Sequence, residues 1–524
     1  MNNAGHSLVQ KLPLLLAGTL VLGMFLGTKF SKHFPSSPSS QAHASLDQLI
    51  QLIDREYADS IQTETLYQNG IEGIISQLDP HTVYIPKEEL PRTNEELEGH
   101  FYGIGIQFFV FQDTVIISSV LTDGPAFGKG LFAGDKIIQI DDSLIAGQSL
   151  DDEAIIQRIR GKQNTQIKLL VIHPDGQKAN VQLTRNTFPL HSVHAVMMPE
   201  PGTGYLAIRM FSENTHAEFC EALNTLKKSG LKRLIIDVRD NPGGYMTAVA
   251  DIVDELVAGD HIVVKTKGKN AEEVLKTSKI GLFEQGELAI LINENAASAS
   301  EILAGSIQDL DRGIIIGRRS YGKGLVQEQF ELPDESAIRI TVARYYLPSG
   351  RCIQKPYQQG RNAYHEELME RFEKGEYIHA DTEKTASKKQ YFTLKKRVVY
   401  GDEGIRPDIF VGADTLRMRS KSPLLQSRIA ERIAFYWLYQ NKDQQKAYQN
   451  IEQFESAFQP GQAIVELAKN KLGIAIQPSL NQVFLLDFKS EIAGLLFGES
   501  GSAKINSPND EFIQVAIKHW KTSK

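Results

Sequence analysis

The sequence predicts a multidomain α/β protein, in which a layered α/β domain carries an inserted β-rich unit and helical segments lie at both ends. Between residues 187 and 415, apolar runs typical of buried strands alternate with loops and amphipathic helical segments, an order that indicates stacked layers of helix and sheet. Between residues 99 and 186 the apolar period is two, which indicates a separate sheet. The 524 residues leave room for about three or four domains of roughly 150 residues each.

The composition argues against two classes of protein. A formal net charge of -7, without long basic runs, provides no electrostatic surface for nucleic acid, so no nucleic-acid partner is predicted. Cys220 and Cys352 are the only cysteines, which excludes a disulfide framework and predicts two unpaired thiols.

Residues 1–44 are predicted to be a signal anchor and linker. The uncharged, mostly apolar run from Leu12 to Gly27 is shorter than the ~20 residues that span a bilayer, although Lys29 and Lys32 could snorkel and lengthen it. The A-x-A site at Ala42–Ala44 lies well beyond this run, which favours an uncleaved anchor over a removed signal peptide. We therefore expect membrane attachment through this segment on the periplasmic side of the inner membrane, with secretion after signal cleavage as the alternative.

Residues 45–98 are predicted to form an N-terminal helical segment. Ser45 and Gln48 fit a capping box, and apolar residues follow at helical spacing. A second apolar stripe ends at Leu78–His81, where Pro80 breaks the helix.

The β-rich unit, residues 99–186, contains glycines at informative positions. The loop Tyr102, Gly103, Ile104, Gly105, Ile106 and the later Gly124–Ala126 and Ala133–Ile138 resemble the peptide-binding loop and signature of a PDZ domain. Glycines allow backbone N–H groups to point together at a peptide's terminal carboxylate, and a neighbouring sheet edge allows that peptide to add as a strand. A glycine-rich hairpin without a ligand is the alternative, but the Gly134-Asp135 element favours the PDZ interpretation.

The layered α/β domain, residues 187–415, contains two strand–loop–helix units. The predicted elements are strand Leu234–Val238, turn Asp240–Gly244, helix Tyr245–Leu256, strand Leu288–Ile292, loop Asn293–Ala297, helix Ser298–Leu310 and strand Ile314–Ile316. Beyond this domain, residues 416–524 are predicted to be a C-terminal helical region. There Ser422-Pro423 is suited to a helix start, and Ile429 and Ile433 belong to an apolar stripe that favours core packing.

Lys323 has two competing interpretations. Gly317–Gly324 comes within one position of the phosphate-binding pattern G-x-x-x-x-G-K-[ST], but Gly324 replaces the hydroxyl residue and the apolar residues that follow indicate a strand instead of a helix. The alternative role is that of a base. A lysine acts as a base only when it is neutral, and burial can lower its pKa toward neutrality.

The segment Asn295–Glu301 places serines where a strand ends and a helix begins. Backbone N–H groups are unpaired at a helix start, so a serine there could act as a nucleophile beside donors for an oxyanion. Ser298 and Ser300 both fit, and simple N-capping by either of them, with Glu301 following, is the alternative.

Three motifs in order, Asp237–Gly244, Ser298–Glu301 and Tyr321–Gln327, resemble the C-terminal processing peptidases, or tail-specific proteases, which are serine proteases with a Ser-Lys pair. Leu78–Thr82 and Gly404–Asp408 extend the resemblance. It implies a crotonase/ClpP-like layered core. The family residues that it transfers are Ser298 as nucleophile, Lys323 as base, Gln327 as the group that positions the lysine, Asp309 as a supporting residue, and the N–H groups of Gly244 and Ala299 as the oxyanion hole.

Some of these assignments have alternatives. Ser300 is the rival nucleophile, although Lys323 lies 25 residues after Ser298, as the family spacing requires. Asp309 is about three helical turns from Ser298 and could equally be a helix-end carboxylate that faces water. Lys323 could be a solvated lysine in a turn.

The resemblance implies a serine endopeptidase that captures protein substrates with apolar C-terminal tails through its PDZ domain. No metal or cofactor is expected, because His365 does not begin an H-E-x-x-H motif and the pair His191 and His194 lacks a third ligand in the sequence. The alternatives are a PDZ-containing peptide-binding scaffold with an inactive protease-like core, or an enzyme acting on something other than protein tails. An adaptor protein and a second copy of the chain are further partners to consider.

Overall fold

The structure is a computed structural model, and it describes residues 39–111, 113–121, 123–269, 271–278, 280–380, 389–413, 429–441 and 447–522. The chain divides into two compact units, Met1–Leu78 and Asp79–Lys524.

The first unit contains two helices, α1 (Ser39–Glu56) and α2 (Thr63–Ile75). The prediction that a helix starts at Ser45 is wrong, because α1 already includes the last residues of the predicted linker. The predicted anchor, Leu12–Gly27, lies outside the described residues. Among the residues that the structure does describe, no helix is long and apolar enough to cross a membrane.

The second unit combines sheets and helices. Its strands are β1 (Val83–Ile85), β2 (His100–Gly103), β3 (Ile106–Phe111), β4 (Thr114–Val120), β5 (Lys136–Ile140), β6 (Ser143–Leu144), β7 (Gln166–Ile172), β8 (Lys178–Thr184), β9 (Asn186–Pro189), β10 (Val193–Glu200), β11 (Thr203–Ile208), β12 (Arg233–Asp237), β13 (Ile262–Gly268), β14 (Glu272–Lys276), β15 (Glu287–Ile292), β16 (Ile314–Gly317), β17 (Leu325–Glu331), β18 (Ala337–Tyr346), β19 (Gln390–Phe392), β20 (Val398–Tyr400) and β21 (Ile409–Phe410). Its helices are α3 (Leu90–Glu98), α4 (Asp152–Ile159), α5 (Thr215–Lys228), α6 (Met246–Leu256), α7 (Ala299–Asp309), α8 (Arg361–Glu373), α9 (Ile429–Gln440), α10 (Ile451–Ala457), α11 (Gln462–Leu472), α12 (Asn481–Asn506) and α13 (Glu511–Thr522).

The β-rich unit has its own antiparallel sheet, with strand order β3-β4-β5-β7-β8 and β6 paired to β5. Alternate residues point into a separate apolar core that includes Ile104, Ile117 and Ile137 and is closed by helix α4 through Ile155. Strand β3 lies at the edge of this sheet, and no strand in the described ranges pairs with its outer side.

A six-stranded sheet, with order β10-β11-β12-β15-β16-β21, forms the centre of the layered α/β domain. All neighbouring pairs except β10 with β11 are parallel. Helices α5, α6 and α7 cover one face and α13 covers the other, which explains the continuous apolar runs of the central strands.

A second sheet, with order β1-β18-β13-β14 and β17 paired to β18, packs its apolar side against the same helices. Strand β17 begins at Leu325, directly after the glycine-rich stretch. The chain therefore continues as a strand where a phosphate loop would open a helix. Strand β1 (Val83–Ile85) follows the predicted helix break at Leu78–His81 and adds to this sheet an element that the prediction of an N-terminal helical segment did not include.

Helices α9 to α12 form a separate apolar cluster, in which Ile429 and Ile433 are fully buried as predicted. The predicted helix start at Ser422 lies outside the described residues. Helix α13 does not belong to this cluster. It returns to the central sheet, and just before it Asp510 accepts a hydrogen bond from Arg239 at 2.7 Å.

Candidate active site

A cavity of about 660 Å³ lies at the carboxyl ends of the neighbouring parallel strands β12 and β15. Loops that follow adjacent parallel strands meet at one edge of a sheet, and ligands commonly bind there. The lining residues come from helix α3, the two loops, the start of α7 and strands β17 and β18. The predicted site residues among them are Gly244, Ser298, Ala299, Lys323 and Gln327.

Ser298 is the residue from which helix α7 starts, and its backbone is strained. Its φ of +56° and ψ of -114° lie in a region that residues with a side chain rarely adopt, at a cost of about 1–3 kcal/mol. Contacts between the two loops hold this conformation: Asp240 exchanges hydrogen bonds with Asn293 at 2.9 and 2.8 Å, and Ala297 donates its N–H to the Asn241 carbonyl at 3.0 Å. In this conformation Ser298 lines the cavity.

Ser300, the rival nucleophile, has a different environment. Its side chain is fully buried, and its hydroxyl donates to the Asn241 carbonyl at 3.0 Å. Ser300 does not belong to the cavity lining, so this hydroxyl serves to join helix α7 to the glycine loop.

Lys323 is half-buried at the cavity, which argues against the alternative interpretation of a solvated lysine in a turn. Its ammonium donates to Gln327 Oε1 at 2.8 Å. Burial lowers the pKa of Lys323, and the cationic side chain of Arg339 lowers it further. Both effects favour the neutral amine that a base requires.

Gln327 is itself held by the turn that contains the Leu78–Thr82 motif. Its amide donates to the carbonyl of His81. Asp79 shapes this turn, because its carboxylate accepts from the N–H of His81 at 2.9 Å and from the hydroxyl of Thr82 at 2.6 Å. Burial and then the Lys323 charge lower the pKa of His81 to about 3, so its imidazole stays neutral. The motif therefore fixes the partner of Lys323.

Glu301 and Tyr345 connect the backbones of the serine and lysine segments. The buried Glu301 carboxylate accepts from the N–H groups of Ser298 at 2.9 Å, Gly322 at 2.8 Å and Lys323 at 2.8 Å, and from the Ser320 hydroxyl. The Tyr345 hydroxyl lies 2.6 Å from the Lys323 carbonyl and 3.1 Å from that of Ser298. Burial raises the pKa of Glu301 to about 7 against these hydrogen bonds.

From the sequence, Glu301 was predicted only to cap the start of helix α7, and no role was predicted for Tyr345. The cap signal was correct, since Glu301 does accept from the Ser298 N–H. No sequence pattern marks Tyr345, because strand pairing between β17 and β18 brings it to the site.

The glycine loop lies against the serine with no room for a side chain. A Cβ at Gly243 would lie 2.8 Å from the Ser298 Cβ, and one at Gly244 would lie 2.1 Å from the Phe211 carbonyl oxygen. In the described ranges, no hydrogen bond joins the N–H of Gly244 or of Ala299 to another group of the protein. These two amides at the cavity are therefore available to a ligand.

Asp309 lies at the opposite end of helix α7 from Ser298. The alternative interpretation, a helix-end carboxylate that faces water, is wrong: Asp309 is 2% exposed and pairs with the buried Arg351 at 2.8 Å. It also accepts the N–H of Ser349 at 3.0 Å. Asp309 anchors the far end of the helix, and any support for catalysis acts through that helix.

The predicted peptide-binding loop of the β-rich unit is compact. Ile104 is buried in the core of this unit, whereas Tyr102 and Ile106 are half-buried. Gly105 has a φ of +73°, and a Cβ there would lie 2.4 Å from the Cα of Gly124. This close approach explains why both positions are glycine.

The cavity brings together a serine hydroxyl, a lysine amine and two backbone N–H groups. A serine-type hydrolase site uses these groups as nucleophile, base and oxyanion hole. Comparison with known proteins agrees: residues 202–359 match Peptidase family S41, and residues 93–172 match the PDZ domain.

Two curated relatives are similar over much of their length. The carboxy-terminal processing protease CtpB of Bacillus subtilis is 31% identical over 323 residues, which are 61% of this chain and 67% of that protein. The carboxy-terminal-processing protease of Bartonella bacilliformis is 32% identical over 313 residues, which are 58% of this chain and 71% of that protein. Among solved structures, a photosystem II D1 C-terminal processing protease aligns at 23% identity with a TM-score of 0.35, covering 70% of this chain and 92% of that chain.

The chain belongs to peptidase family S41, the family of these carboxy-terminal processing proteases, and it carries a PDZ domain. The predicted family and the predicted enzyme class, a serine-type peptidase, are confirmed.

Proposed function

We propose that the protein is an endopeptidase that binds the C-terminal tails of protein substrates through its PDZ domain and cleaves them with Ser298 and Lys323. The observation that carries this proposal is the shared cavity, in which Ser298 lies beside two available amides and Lys323 has a lowered pKa and a fixed partner in Gln327.

In the first step, neutral Lys323 accepts the hydroxyl proton of Ser298 while the Ser298 Oγ forms a bond to the scissile carbonyl carbon. The N–H groups of Gly244 and Ala299 donate to the oxyanion. The C–N bond then breaks, and the Lys323 ammonium returns its proton to the leaving amine. In the second step, water attacks the acyl-enzyme, Lys323 takes the proton of that water, and Ser298 Oγ leaves with a proton from Lys323.

An apolar part of the cavity wall suits an apolar residue at the cleavage site. Its walls include Met210, Met246, Ile302, Leu325 and Val326. Burial of an apolar side chain there stabilises the complex by about 25 cal/mol per Å².

The PDZ domain supports tail recognition. The free edge of β3 can accept an extended peptide as an added strand, and the Gly103–Gly105 loop before it can present backbone N–H groups to a terminal carboxylate. The succession of α13, the central sheet, helices α5 to α7 and the second sheet also supports a core of the crotonase/ClpP-like kind.

The catalytic proposal is tested with an unfolded protein substrate that ends in an apolar tail. Ser298→Ala and Lys323→Ala should each lose at least about 10³-fold in kcat. Ser300→Ala is the matched control and should keep most activity, because its hydroxyl contacts only the glycine loop. Full activity in Ser298→Ala would overturn the mechanism, and a requirement for ATP would restore the phosphate-loop interpretation.

Tail recognition is tested with the Gly105→Ala variant, whose Cβ would collide with Gly124. KM for the tailed substrate should rise by roughly 10-fold or more, while cleavage of a short peptide without the tail should be unchanged. Gly176→Ala is the matched control, since its φ is +90° but no atom lies within 4 Å of the added Cβ. If the wild-type protein binds the tail but does not cleave the substrate, the result would instead indicate a PDZ-containing peptide-binding scaffold with an inactive protease-like core.

A further inference from the structure

Three side chains capable of binding a metal converge between helices α5 and α6, outside the cavity. His216 and Cys220 are four residues apart on α5 and therefore share one face, and Glu255 lies near the end of α6. Nε2 of His216 is 3.0 Å from Oε1 of Glu255 and 3.4 Å from the Cys220 sulfur, and that sulfur is 3.6 Å from the same Oε1. Of the described residues, this is the only group of three such side chains.

The arrangement is a chelating triangle and not a catalytic relay. In a Cys-His-Glu relay the carboxylate would hold one ring nitrogen while the other ring nitrogen faced the thiol. Here the carboxylate and the thiol both contact Nε2. The three potential ligand atoms lie 3.0–3.6 Å from one another, as the ligands of one bound ion do.

The distances suit zinc. Zn²⁺ lies about 2.0–2.3 Å from nitrogen, oxygen and sulfur ligands in tetrahedral sites, which places the ligands roughly 3.3–3.7 Å from one another. The three observed separations are within a few tenths of an ångström of this range. A thiolate and an imidazole favour zinc over magnesium or calcium, which bind oxygen ligands.

The surroundings support the ligands and leave a way in. Glu255 is buried, and its second oxygen accepts the N–H of Leu282 at 3.0 Å, which fixes the carboxylate as a metal's outer partners commonly do. The His216 side chain is 28% exposed, so one side of the cluster faces solvent. An ion could enter there and hold water as its fourth ligand.

We propose that His216, Cys220 and Glu255 form a zinc-binding site that joins helix α5 to helix α6. Both helices start at the glycine loop: Phe211, just before α5, accepts the N–H of Tyr245, just before α6, at 2.7 Å. A metal bridge at Glu255, near the other end of α6, adds a second link between the two helices and lies outside the reaction itself.

Binding converts the Cys220 thiol to a thiolate and releases its proton to solvent. A protonated His216 would release a second proton. The thiolate and the Glu255 carboxylate together neutralise the charge of Zn²⁺, so the filled site carries no net charge.

The site is tested by adding Co²⁺, as a spectroscopic substitute for Zn²⁺, to the chelator-treated full chain. We expect one ion per chain, a thiolate-to-cobalt charge-transfer band, and loss of that band when Zn²⁺ is added. Zn²⁺ should also raise the unfolding temperature. Absence of the charge-transfer band at saturating Co²⁺ would overturn the proposal.

Variants assign the ligands. Cys220→Ser should abolish the band, and His216→Gln should weaken Co²⁺ binding by more than about 10-fold with the thiol still present. Cys352→Ser is the matched control and should retain the band. A band that survives in Cys220→Ser, or disappears in Cys352→Ser, would contradict the assignment.

The result is independent of the proposed function. Ser298→Ala should bind Co²⁺ like the wild type, and the metal-free wild type should still cleave substrate. If Co²⁺ does not bind but proteolysis is intact, only the zinc site is refuted. If Co²⁺ binds but Ser298→Ala remains fully active, only the catalytic assignment is refuted.

Discussion

The carboxylate of Glu301 accepts the backbone N–H of Lys323 at 2.8 Å. The same carboxylate accepts the N–H of Ser298 at 2.9 Å, so one buried side chain joins the two segments that contain the proposed catalytic residues.

We predict that Glu301→Gln lowers kcat by about 10²-fold, the order of magnitude of a small misplacement of reacting groups. Each carboxylate oxygen accepts two hydrogen bonds, so the new NH₂ group would face donors in either orientation. Steady-state kinetics measure the loss, and circular dichroism checks the fold. Glu328→Gln, at an exposed position on β17, is the control and should behave like the wild type. Unchanged kcat in Glu301→Gln would show that these hydrogen bonds do not position the pair.

Arg339 is predicted to tune the base. Its charge lowers the pKa of Lys323, so Arg339→Met should raise that pKa. Because only neutral Lys323 accepts a proton, the acidic limb of the kcat/KM profile should move to higher pH. Activity should fall at pH 7 and recover in alkaline solution. The measurement is the pH–rate profile of both enzymes.

Arg344→Met is the control for this prediction, because Arg344 is exposed on the same strand and does not line the cavity. Its profile should match that of the wild type. If the acidic limb of Arg339→Met does not move, Arg339 does not act on the base.

Lys323→Met should abolish activity and stabilise the fold by about 1 kcal/mol at neutral pH, the order of the cost of burying a polar group. The folded state lowers the pKa of Lys323 from 10.5, so between the two values the unfolded chain binds more protons and wild-type stability rises with pH. The gain in the free energy of unfolding of the variant over the wild type should therefore be largest below the folded-state pKa and shrink toward pH 10.5.

Denaturant unfolding at pH 7 and 9.5 measures this difference, and Lys168→Met, at an exposed position, is the control. An advantage that grows with pH would contradict the buried amine.

Gly243→Ala should reduce kcat by at least about 10²-fold. Its Cβ would lie 2.8 Å from the Ser298 Cβ and 3.1 Å from the Ala299 nitrogen, so the serine or the oxyanion amide must move. Gly230→Ala also replaces a glycine of positive φ, +85°, but meets no atom within 4 Å, and it should retain activity. Equal losses of kcat in the two variants would indicate that backbone strain, and not a collision of the added Cβ with Ser298 or Ala299, causes the loss.

The sequence was sufficient for the parts of the site that lie within single strand–loop–helix units. Ser298 and Ala299 follow strand β15, and Gly244 follows strand β12, so local periodicity predicted the loops that contain them. The choice of Ser298 over Ser300 and the oxyanion roles of Gly244 and Ala299 came from the family resemblance. Lys323 and Gln327 needed the family resemblance, because a glycine-rich stretch before a strand has no unique meaning.

The groups that act on these residues come from distant parts of the chain. Arg339 and Tyr345 reach the cavity through β18, and His81 reaches Gln327 through the turn that Asp79 shapes. Strand pairing of this kind leaves no local signal. Helical periodicity correctly placed Asp309 three turns after Ser298, but it could not reveal Arg351 as its partner.

Asp510 lies 271 residues after Arg239, whose guanidinium it holds beside the start of the glycine loop. Helix α13, which follows Asp510, covers one face of the central sheet. Residues 510–522 must therefore be synthesised before that face is shielded from water and before Arg239, at the start of the glycine loop, pairs with Asp510. A growing polypeptide therefore carries Ser298 and Lys323 long before this support of the glycine loop is in place.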